Sequence, residues 1–220
     1  MQNLGTVSPA IHYITGLPKD IVQHILNDVD PHTHQLRSAR LSRGDANTNV
    51  RNCKIMDVPT YSWIGGFIWS YIERANRENF LYDITCFENE MIGYIEYDVG
   101  DFYTWHIDQD ITNMLSANFK RSWDKNMCQQ IALLNGENVR KLSFSLQLSS
   151  PDEYEGGELQ LLRQGVSHNA SSKACAEMIT LSKQFGTLTV FDSRVAHRVR
   201  KVKSGKRKSL VGWVVGPRWK

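Results

Sequence analysis

Long apolar runs are absent from this chain. No stretch approaches the ~20 consecutive apolar residues that a membrane-spanning helix needs. Its first residues, Met1 to Pro9, also lack the basic segment and apolar block that mark a secretory signal. The sequence therefore predicts a protein that stays out of the membrane and works in the cytoplasm.

Cysteine is scarce, and no two cysteines form a close pair such as C-x-x-C. Scattered cysteines in a chain without a secretory signal indicate reduced thiols and disfavour a disulfide framework. The four residues concerned are Cys53, Cys86, Cys128 and Cys175.

A strong excess of charge of one sign is also missing, because the formal net charge is only +3. The distribution is uneven, since Arg194 to Lys208 holds eight Lys or Arg residues and Asp152 to Glu158 holds four carboxylates. One interpretation is two solvated loops of opposite sign. The other is a basic rim that attracts an anionic ligand or an acidic substrate.

The length of 220 residues and the 41% hydrophobic content predict one domain with a sizeable core. In residues 1–82, apolar residues recur at helical spacing over Lys19 to Val29 and over Trp63 to Phe80. The polar segment 31–49 shows little periodicity and is predicted to be a mobile loop. Residues 1–82 are thus expected to give helical support.

Residues 83–220 change to short alternating segments punctuated by Gly, Pro, Asp and Asn, which predicts strands. Several short strands after two helices indicate a mainly β fold with supporting helices, built as a barrel or sandwich. Longer connections at about 109–139 and 163–177 are candidate lids. The predicted strands of the whole chain are Ile11–Ile14, Val50–Val58, Met91–Tyr97, Tyr103–Ile107, Lys141–Leu148, Glu158–Leu162, Met178–Leu181, Thr187–Phe191, Val195–Val202 and Ser209–Val215.

A candidate metal site begins with His106 and Asp108, which lie two residues apart on a predicted strand and therefore share one face. Alone this pair is weak, because a strand histidine is more often the hydrogen-bond partner of a carbonyl. His197 on a late strand offers a third ligand. Two histidines and one carboxylate that leave open coordination positions suit non-haem Fe(II) and dioxygen.

Arg207 follows His197 by ten residues and is a candidate anchor for a dicarboxylate co-substrate. The planar guanidinium fork pairs with both oxygens of a carboxylate. If this segment is a strand, then Arg207, Ser209, Val211 and Trp213 face the same side. The alternative is that Arg207 is one of a run of surface charges.

The chain resembles the prolyl 4-hydroxylase branch of the 2-oxoglutarate/Fe(II) oxygenases. The similarity covers about residues 91–215, and the amino-acid sequence of its later segments is most similar to bacterial and phage members. The matching segments occur in the order found in the family, and they are Tyr97-x-x-Gly100-x-x-Tyr103-x-x-His106-x-Asp108, Arg140 to Leu148, Tyr154-Glu-Gly-Gly-Glu-Leu159, and Gly186 through His197 and Arg207 to Trp213.

This resemblance implies a double-stranded β-helix, a jelly-roll of two facing sheets, with Fe(II) held by His106, Asp108 and His197. It implies 2-oxoglutarate and O2 as co-substrates, with ascorbate as a candidate reductant. Arg207 would bind the distal carboxylate of 2-oxoglutarate. Tyr97 would hydrogen-bond the co-substrate, Ser143 would lie near the distal carboxylate, and Trp213 would line the pocket.

One position departs from the family, because some members have a second tyrosine where this chain has Gln147. The distal carboxylate would then be held by fewer hydroxyls or by the Gln147 amide. The sequence leaves these alternatives open.

The resemblance further implies hydroxylation of a prolyl residue in a protein or peptide, with release of succinate and CO2. Candidate substrate contacts are Trp105, Arg194 and Trp123. Three alternatives stay open: a nucleic-acid demethylase, a free amino-acid hydroxylase and a metal-bearing scaffold. The basic run favours the first, but repair relatives carry a further arginine roughly where this chain has Trp213. An intact set of ligands disfavours the scaffold.

Overall fold

Antiparallel sheets and two helices form the part of the chain that the computed structural model describes, which is residues 11–39, 49–109, 138–164 and 176–217. The helices are α1 (Lys19–Val29) and α2 (Trp63–Ala75), and a π-helical turn (Asn76–Phe80) continues α2. The strands are β1 (His12–Gly16), β2 (Arg37–Ser38), β3 (Arg51–Asn52), β4 (Lys54–Pro59), β5 (Cys86–Phe87), β6 (Met91–Tyr97), β7 (Phe102–His106), β8 (Asn138–Gln147), β9 (Tyr154–Gly156), β10 (Leu159–Gln164), β11 (Ala176–Thr180), β12 (Thr187–Asp192), β13 (Ala196–Val199), β14 (Val202–Gly205) and β15 (Arg207–Pro217).

The larger sheet has the strand order β1-β12-β8-β15-β6-β4-β2, and β5 pairs with β15. The smaller sheet has the order β11-β10-β13-β7-β3, and β9 pairs with β14 in a separate ribbon. The strand pairs are antiparallel, and consecutive strands often lie in different sheets. These are the two sheets of a double-stranded β-helix, and the predicted mainly β fold with supporting helices is confirmed.

Strand β8 shows how the sequence separates the core from the inner cavity. Side chains alternate between the two faces of a strand. One set on β8, Leu142, Phe144 and Leu146, is buried in the main core with the two helices. The intervening Ser143 and Ser145 line the cavity between the sheets. Strand β8 therefore has an apolar outer face packed against the helices and a polar inner face.

Helices α1 and α2 cover the outer face with apolar stripes at helical spacing. Val22, Ile25, Leu26 and Val29 are the buried residues of α1. The predicted bounds of α1 are those observed, and the predicted Trp63–Phe80 helix corresponds to α2 with its π-helical extension. Neither helix within the described ranges is long and apolar enough to span a membrane.

The predicted mobile loop 31–49 is wrong for its first half. Residues Asp30–Gln35 form a 3-10 helix, and β2 pairs with β4. Local hydrogen bonds order this segment although its sequence has no apolar periodicity. One of them runs from Leu36 N–H to the Thr33 carbonyl oxygen at 3.1 Å. Residues 40–48 lie outside the described residues.

Two predicted strands are each divided in the structure. Val50–Val58 becomes β3 and β4, which pair in different sheets. Val195–Val202 becomes β13 and β14 because the chain leaves the small sheet and pairs with β9 instead. Neither predicted strand contains Gly or Pro to mark a boundary, so the sequence pattern alone did not show these changes. The candidate lids lie mostly in residues 110–137 and 165–175, outside the described residues.

Replacing Gly205 with alanine is expected to destabilise the fold by about 2 kcal/mol or more, because two costs combine. Gly205 has a φ of 71°, and a Cβ there would lie 1.9 Å from the Glu153 carbonyl oxygen. Urea unfolding followed by circular dichroism measures the change.

Gly66→Ala is the matched control for this substitution. Gly66 is exposed within α2, and a Cβ there meets nothing within 4 Å. Alanine should stabilise the helix there by about 0.5–1 kcal/mol. Equal unfolding free energies for the two variants would contradict the close packing of Gly205 against the Glu153 carbonyl oxygen.

Candidate metal centre

The strand pairing of the small sheet brings the two candidate histidine ligands together. His106 ends β7, and His197 on β13 is its direct partner across the ladder. Asp108 lies in a bend just beyond β7, not on the strand as predicted, yet its carboxylate faces both rings. Its Oδ1 is 3.7 Å from His106 Nε2, and its Oδ2 is 3.4 Å from His197 Nε2.

These separations suit a shared ion, since two atoms each about 2 Å from one metal lie no more than about 4 Å apart. Candidate ligand atoms from all three residues lie within 4.8 Å of one another. All three residues line one cavity, so a metal held by them would be accessible from that space. The structure thus brings together the three predicted ligands in the arrangement that open-sited iron prefers.

The backbone fixes which ring nitrogen of each histidine can bind a metal. His106 Nδ1 lies 2.8 Å from the Thr104 carbonyl oxygen, and His197 Nδ1 lies 2.9 Å from the Val195 carbonyl oxygen. A carbonyl only accepts, so each Nδ1 carries the proton. Each neutral ring then presents the lone pair of Nε2 beside Asp108.

Electrostatics keep the site in its ligating protonation state. Burial and the neighbouring His197 lower the pKa of His106 to about 4. Burial alone would raise the pKa of Asp108, but the two imidazoles and a hydrogen bond from Ser143 outweigh it and lower that pKa. At neutral pH the site therefore offers a neutral His106 imidazole and a negative carboxylate, which suits a divalent cation.

Further contacts hold Asp108 in place. Ser143 Oγ donates to Asp108 Oδ2 at 2.7 Å and lies 2.9 Å from Ser193 Oγ. Arg140 donates to the Asp108 carbonyl oxygen at 3.2 Å and is itself held by Glu88. Ser143 thus lies beside the metal ligand, whereas the resemblance implied a position near the distal carboxylate.

Substituting Ser143 with alanine is expected to weaken metal binding by about 10–100-fold, the usual cost of losing a partner of a metal ligand. The fold should change little, because alanine fits the same space. Anaerobic Fe(II) titration measures the affinity. Ser70→Ala, in which an exposed α2 hydroxyl is removed, is the control. Unchanged affinity would show that Ser143 does not orient Asp108.

A cavity of about 500 Å³, including its open mouth, extends from this site between the sheets to Arg207. Trp213 lines it, as the resemblance implied. Tyr97 lines it as well, and its implied hydrogen bond to the co-substrate stays a prediction. The Arg207 guanidinium lies 5.3 Å from the centre of the Tyr97 ring, and that of Arg140 lies 3.9 Å from the Trp213 ring.

Arg207 itself is buried, with 2% of its surface exposed. Its NH1 donates to Ser209 Oγ at 3.2 Å, while its buried Nε has no hydrogen-bond partner in the described part of the chain. No carboxylate among the described residues pairs with it. A buried cation is costly unless an anion compensates it, so the cavity suits a ligand that brings a carboxylate to its far end.

Half of the eight cations of the basic run are ion-paired. Its ion pairs are Arg194 with Asp192, Arg200 with Glu158, Lys206 with Glu96 and Asp98, and Lys208 with Asp30. One of these, Arg200–Glu158, joins the basic and the acidic runs. The run therefore does not form a continuous basic surface.

The candidate substrate contacts have different surroundings in the structure. Arg194 is held by Asp192 at 2.6 Å. Trp105 is 38% exposed and lies beneath the Arg198 guanidinium, 4.7 Å from the ring centre. Trp123 lies outside the described residues.

The sequence did not single out Arg51 and Tyr103, which also line the metal cavity. Tyr103 stacks on His106 with ring centres 3.5 Å apart, and Arg51 lies 4.8 Å from the centre of the Tyr103 ring. Tyr103 stands in the segment that carried the family resemblance. Arg51 had no signal of its own, since β3 is only two residues long.

Fold and site together define a double-stranded β-helix protein with a centre of two histidines and one carboxylate. The profile of the 2OG-Fe(II) oxygenase superfamily matches residues 92–215, more than half of the chain. The chain belongs to this superfamily.

Relatives of known name include PKHD-type hydroxylases. One from Stenotrophomonas maltophilia is 32% identical over 119 residues, which is 54% of this chain and 40% of the relative. One from Parvibaculum lavamentivorans is 38% identical over 73 residues, which is 33% of this chain and 28% of the relative. The chain therefore spans less than half the length of these curated relatives.

Solved structures share the fold. A Pseudomonas putida prolyl-4-hydroxylase aligns with a TM-score of 0.60 at 18% identity, covering 95% of this chain and 94% of that one. A prolyl hydroxylase from Trichoplax adhaerens, in complex with a hypoxia inducible factor peptide fragment, aligns with a TM-score of 0.65 at 17% identity. It covers 93% of this chain and 83% of that one.

Proposed function

We propose that this chain is an Fe(II)- and 2-oxoglutarate-dependent dioxygenase that hydroxylates a prolyl residue in a protein or peptide. One observation supports the reaction class most strongly. A single cavity is lined by the three candidate metal ligands and by a buried arginine, Arg207, that no carboxylate of the described residues pairs with. A short dicarboxylate that also chelates the metal satisfies both features.

The residues of the chain have separate tasks in this proposal. His106, Asp108 and His197 hold the iron, and Arg207 orients 2-oxoglutarate through its distal carboxylate. Bound iron, 2-oxoglutarate and O2 together supply the oxidation, which releases succinate and CO2 and adds one oxygen atom to a substrate C–H bond. Tyr97, Tyr103 and Trp213 line the cavity with aromatic surface.

The prolyl substrate is supported by the names of the related proteins and by the cavity wall. An uncharged pyrrolidine ring fits among aromatic side chains, because it needs no charged partner there. A nucleic-acid substrate finds less support, since four of the eight cations of the basic run are engaged in ion pairs and a fifth, Arg207, is buried. Phosphate binding requires cations that are free to contact the backbone.

Two experiments test the proposal in order. Anaerobic Fe(II) with 2-oxoglutarate should give a weak metal-to-ligand absorption band, and air should then release succinate. Proline-containing peptides should next gain the mass of one oxygen in a 2-oxoglutarate-dependent manner. Absence of the band would overturn the reaction class. Succinate release without oxidation of any peptide in a broad panel would overturn the prolyl substrate only.

A further inference from the structure

A second, smaller chamber lies behind Arg207 and has space for about one water-sized group. It adjoins the metal cavity, because Ser145, Leu159 and Arg207 line both spaces. The chamber is almost entirely polar. Its walls include the hydroxyl and amide groups of Gln147, Tyr154 and Thr189.

Two cations meet at this chamber. Arg207 forms one wall, and Lys183 Nζ lies 3.9 Å from the centre of the Tyr154 ring and donates to the Tyr154 carbonyl oxygen at 3.0 Å. Within the described part of the chain, neither cation is paired with a carboxylate. The chamber therefore favours an anionic group over a neutral one.

Tyr154 is buried at this point, and its hydroxyl oxygen accepts a hydrogen bond. Gln147 Nε2 donates to it at 2.8 Å. The same Nε2 faces the Ser149 carbonyl oxygen at 3.4 Å, which supports this orientation of the amide. Because the phenol oxygen is the acceptor here, its own proton is left for a different acceptor.

The phenol keeps that proton, because burial raises the pKa of Tyr154. Gly157 allows the Tyr154 ring and the Arg207 side chain to lie close to the backbone and to each other. It has a φ of 62°, and a Cβ there would lie 3.1 Å from the Tyr154 ring and 3.2 Å from Arg207 Cδ. The backbone thus leaves the space in which Tyr154 and Arg207 meet.

We propose that Tyr154 donates its hydroxyl proton to the distal carboxylate of 2-oxoglutarate beside Arg207, and that Gln147 orients this hydroxyl. The inference rests on the proposed function, since it assigns a further residue to the co-substrate site. It also explains how the distal carboxylate can be held although position 147 has an amide. The hydroxyl comes from β9 instead of β8.

The test compares two ligands on the anaerobic Fe(II) protein by calorimetry. 2-Oxoglutarate has the distal carboxylate, whereas 2-oxopentanoate has the same chain length without it. For Tyr154→Phe, the Kd of 2-oxoglutarate should rise on the order of tenfold, and the Kd of 2-oxopentanoate should not change. Tyr13→Phe, in which a hydroxyl that donates to Glu78 is removed far from the cavity, is the control.

Gln147→Leu provides a second variant that leaves the phenol in place. It should weaken 2-oxoglutarate binding by a smaller factor and again leave 2-oxopentanoate unaffected. Equal loss of both ligands, or no loss of either, in a folded Tyr154→Phe protein would overturn the assignment. If the unmodified protein does not prefer 2-oxoglutarate over 2-oxopentanoate, the proposed function itself fails.

Discussion

Replacing His197 with alanine is expected to abolish 2-oxoglutarate turnover. It should also weaken Fe(II) binding by more than the roughly 10–100-fold that is lost when a residue hydrogen-bonded to a metal ligand is removed. His197 is buried and supplies one of three ligand atoms, and its Nε2 lies 3.4 Å from Asp108 Oδ2. Without this imidazole, two protein ligands remain. Anaerobic calorimetry with Fe(II) measures the affinity, and succinate formation measures turnover.

His24→Ala is the matched control, because His24 is an exposed residue of α1 on the far side of the large sheet from the metal site. It should bind Fe(II) and turn over 2-oxoglutarate like the unmodified protein. Circular dichroism confirms that both variants are folded. Normal iron affinity in a folded His197→Ala protein would refute the ligand assignment.

Substituting Arg207 with methionine is expected to weaken 2-oxoglutarate binding by about 100-fold while Fe(II) binding persists. Truncating one partner of a buried, hydrogen-bonded charge pair typically costs about 2–5 kcal/mol, and 1.4 kcal/mol corresponds to a factor of ten. Arg207→Lys should lie between, because an ammonium cannot form the bidentate fork. Calorimetry of 2-oxoglutarate on the anaerobic Fe(II) protein gives the affinities.

Although Arg207→Met should weaken 2-oxoglutarate binding, it is not expected to destabilise the fold when no ligand is bound. Arg207 is a buried cation whose Nε has no hydrogen-bond partner among the described residues, so methionine removes a desolvation cost and should leave the unfolding free energy unchanged or higher. Lys208→Met, which removes a partly exposed cation paired with Asp30, is the control and should bind 2-oxoglutarate normally. Loss of stability together with loss of binding in Arg207→Met would indicate a structural role instead.

Local patterns in the sequence predicted much of the fold. The bounds of α1 and β6 agree with the prediction. In α1, buried apolar residues recur at one clear helical spacing. The pairing of strands was not accessible in the same way. Residues 50–58 contain no Gly or Pro to mark a break, yet β3 joins the small sheet and β4 joins the large one. Which neighbour a strand finds depends on the whole fold.

The candidate site shows the same limit. His106, Asp108, His197 and Arg207 were predicted from spacing, and the structure places them around one cavity. Tyr154 was quoted only as part of a family segment, and its position beside Arg207 depends on the pairing of β9 with β14. Arg51 and Lys183 reach their positions through tertiary contacts that no local spacing records.

Strand β8 restricts where substrate preference could change. Its alternate side chains serve the apolar core and the cavity wall, so an insertion or deletion of one residue would exchange the two faces. Point substitutions on it would also disturb either helix packing or the neighbours of the metal ligand. The short strand β3, which carries Arg51, is an edge strand of the small sheet and does not divide its side chains between the main core and the cavity in this way. Attempts to redirect this protein to other substrates should therefore begin at β3 and leave β8 unaltered.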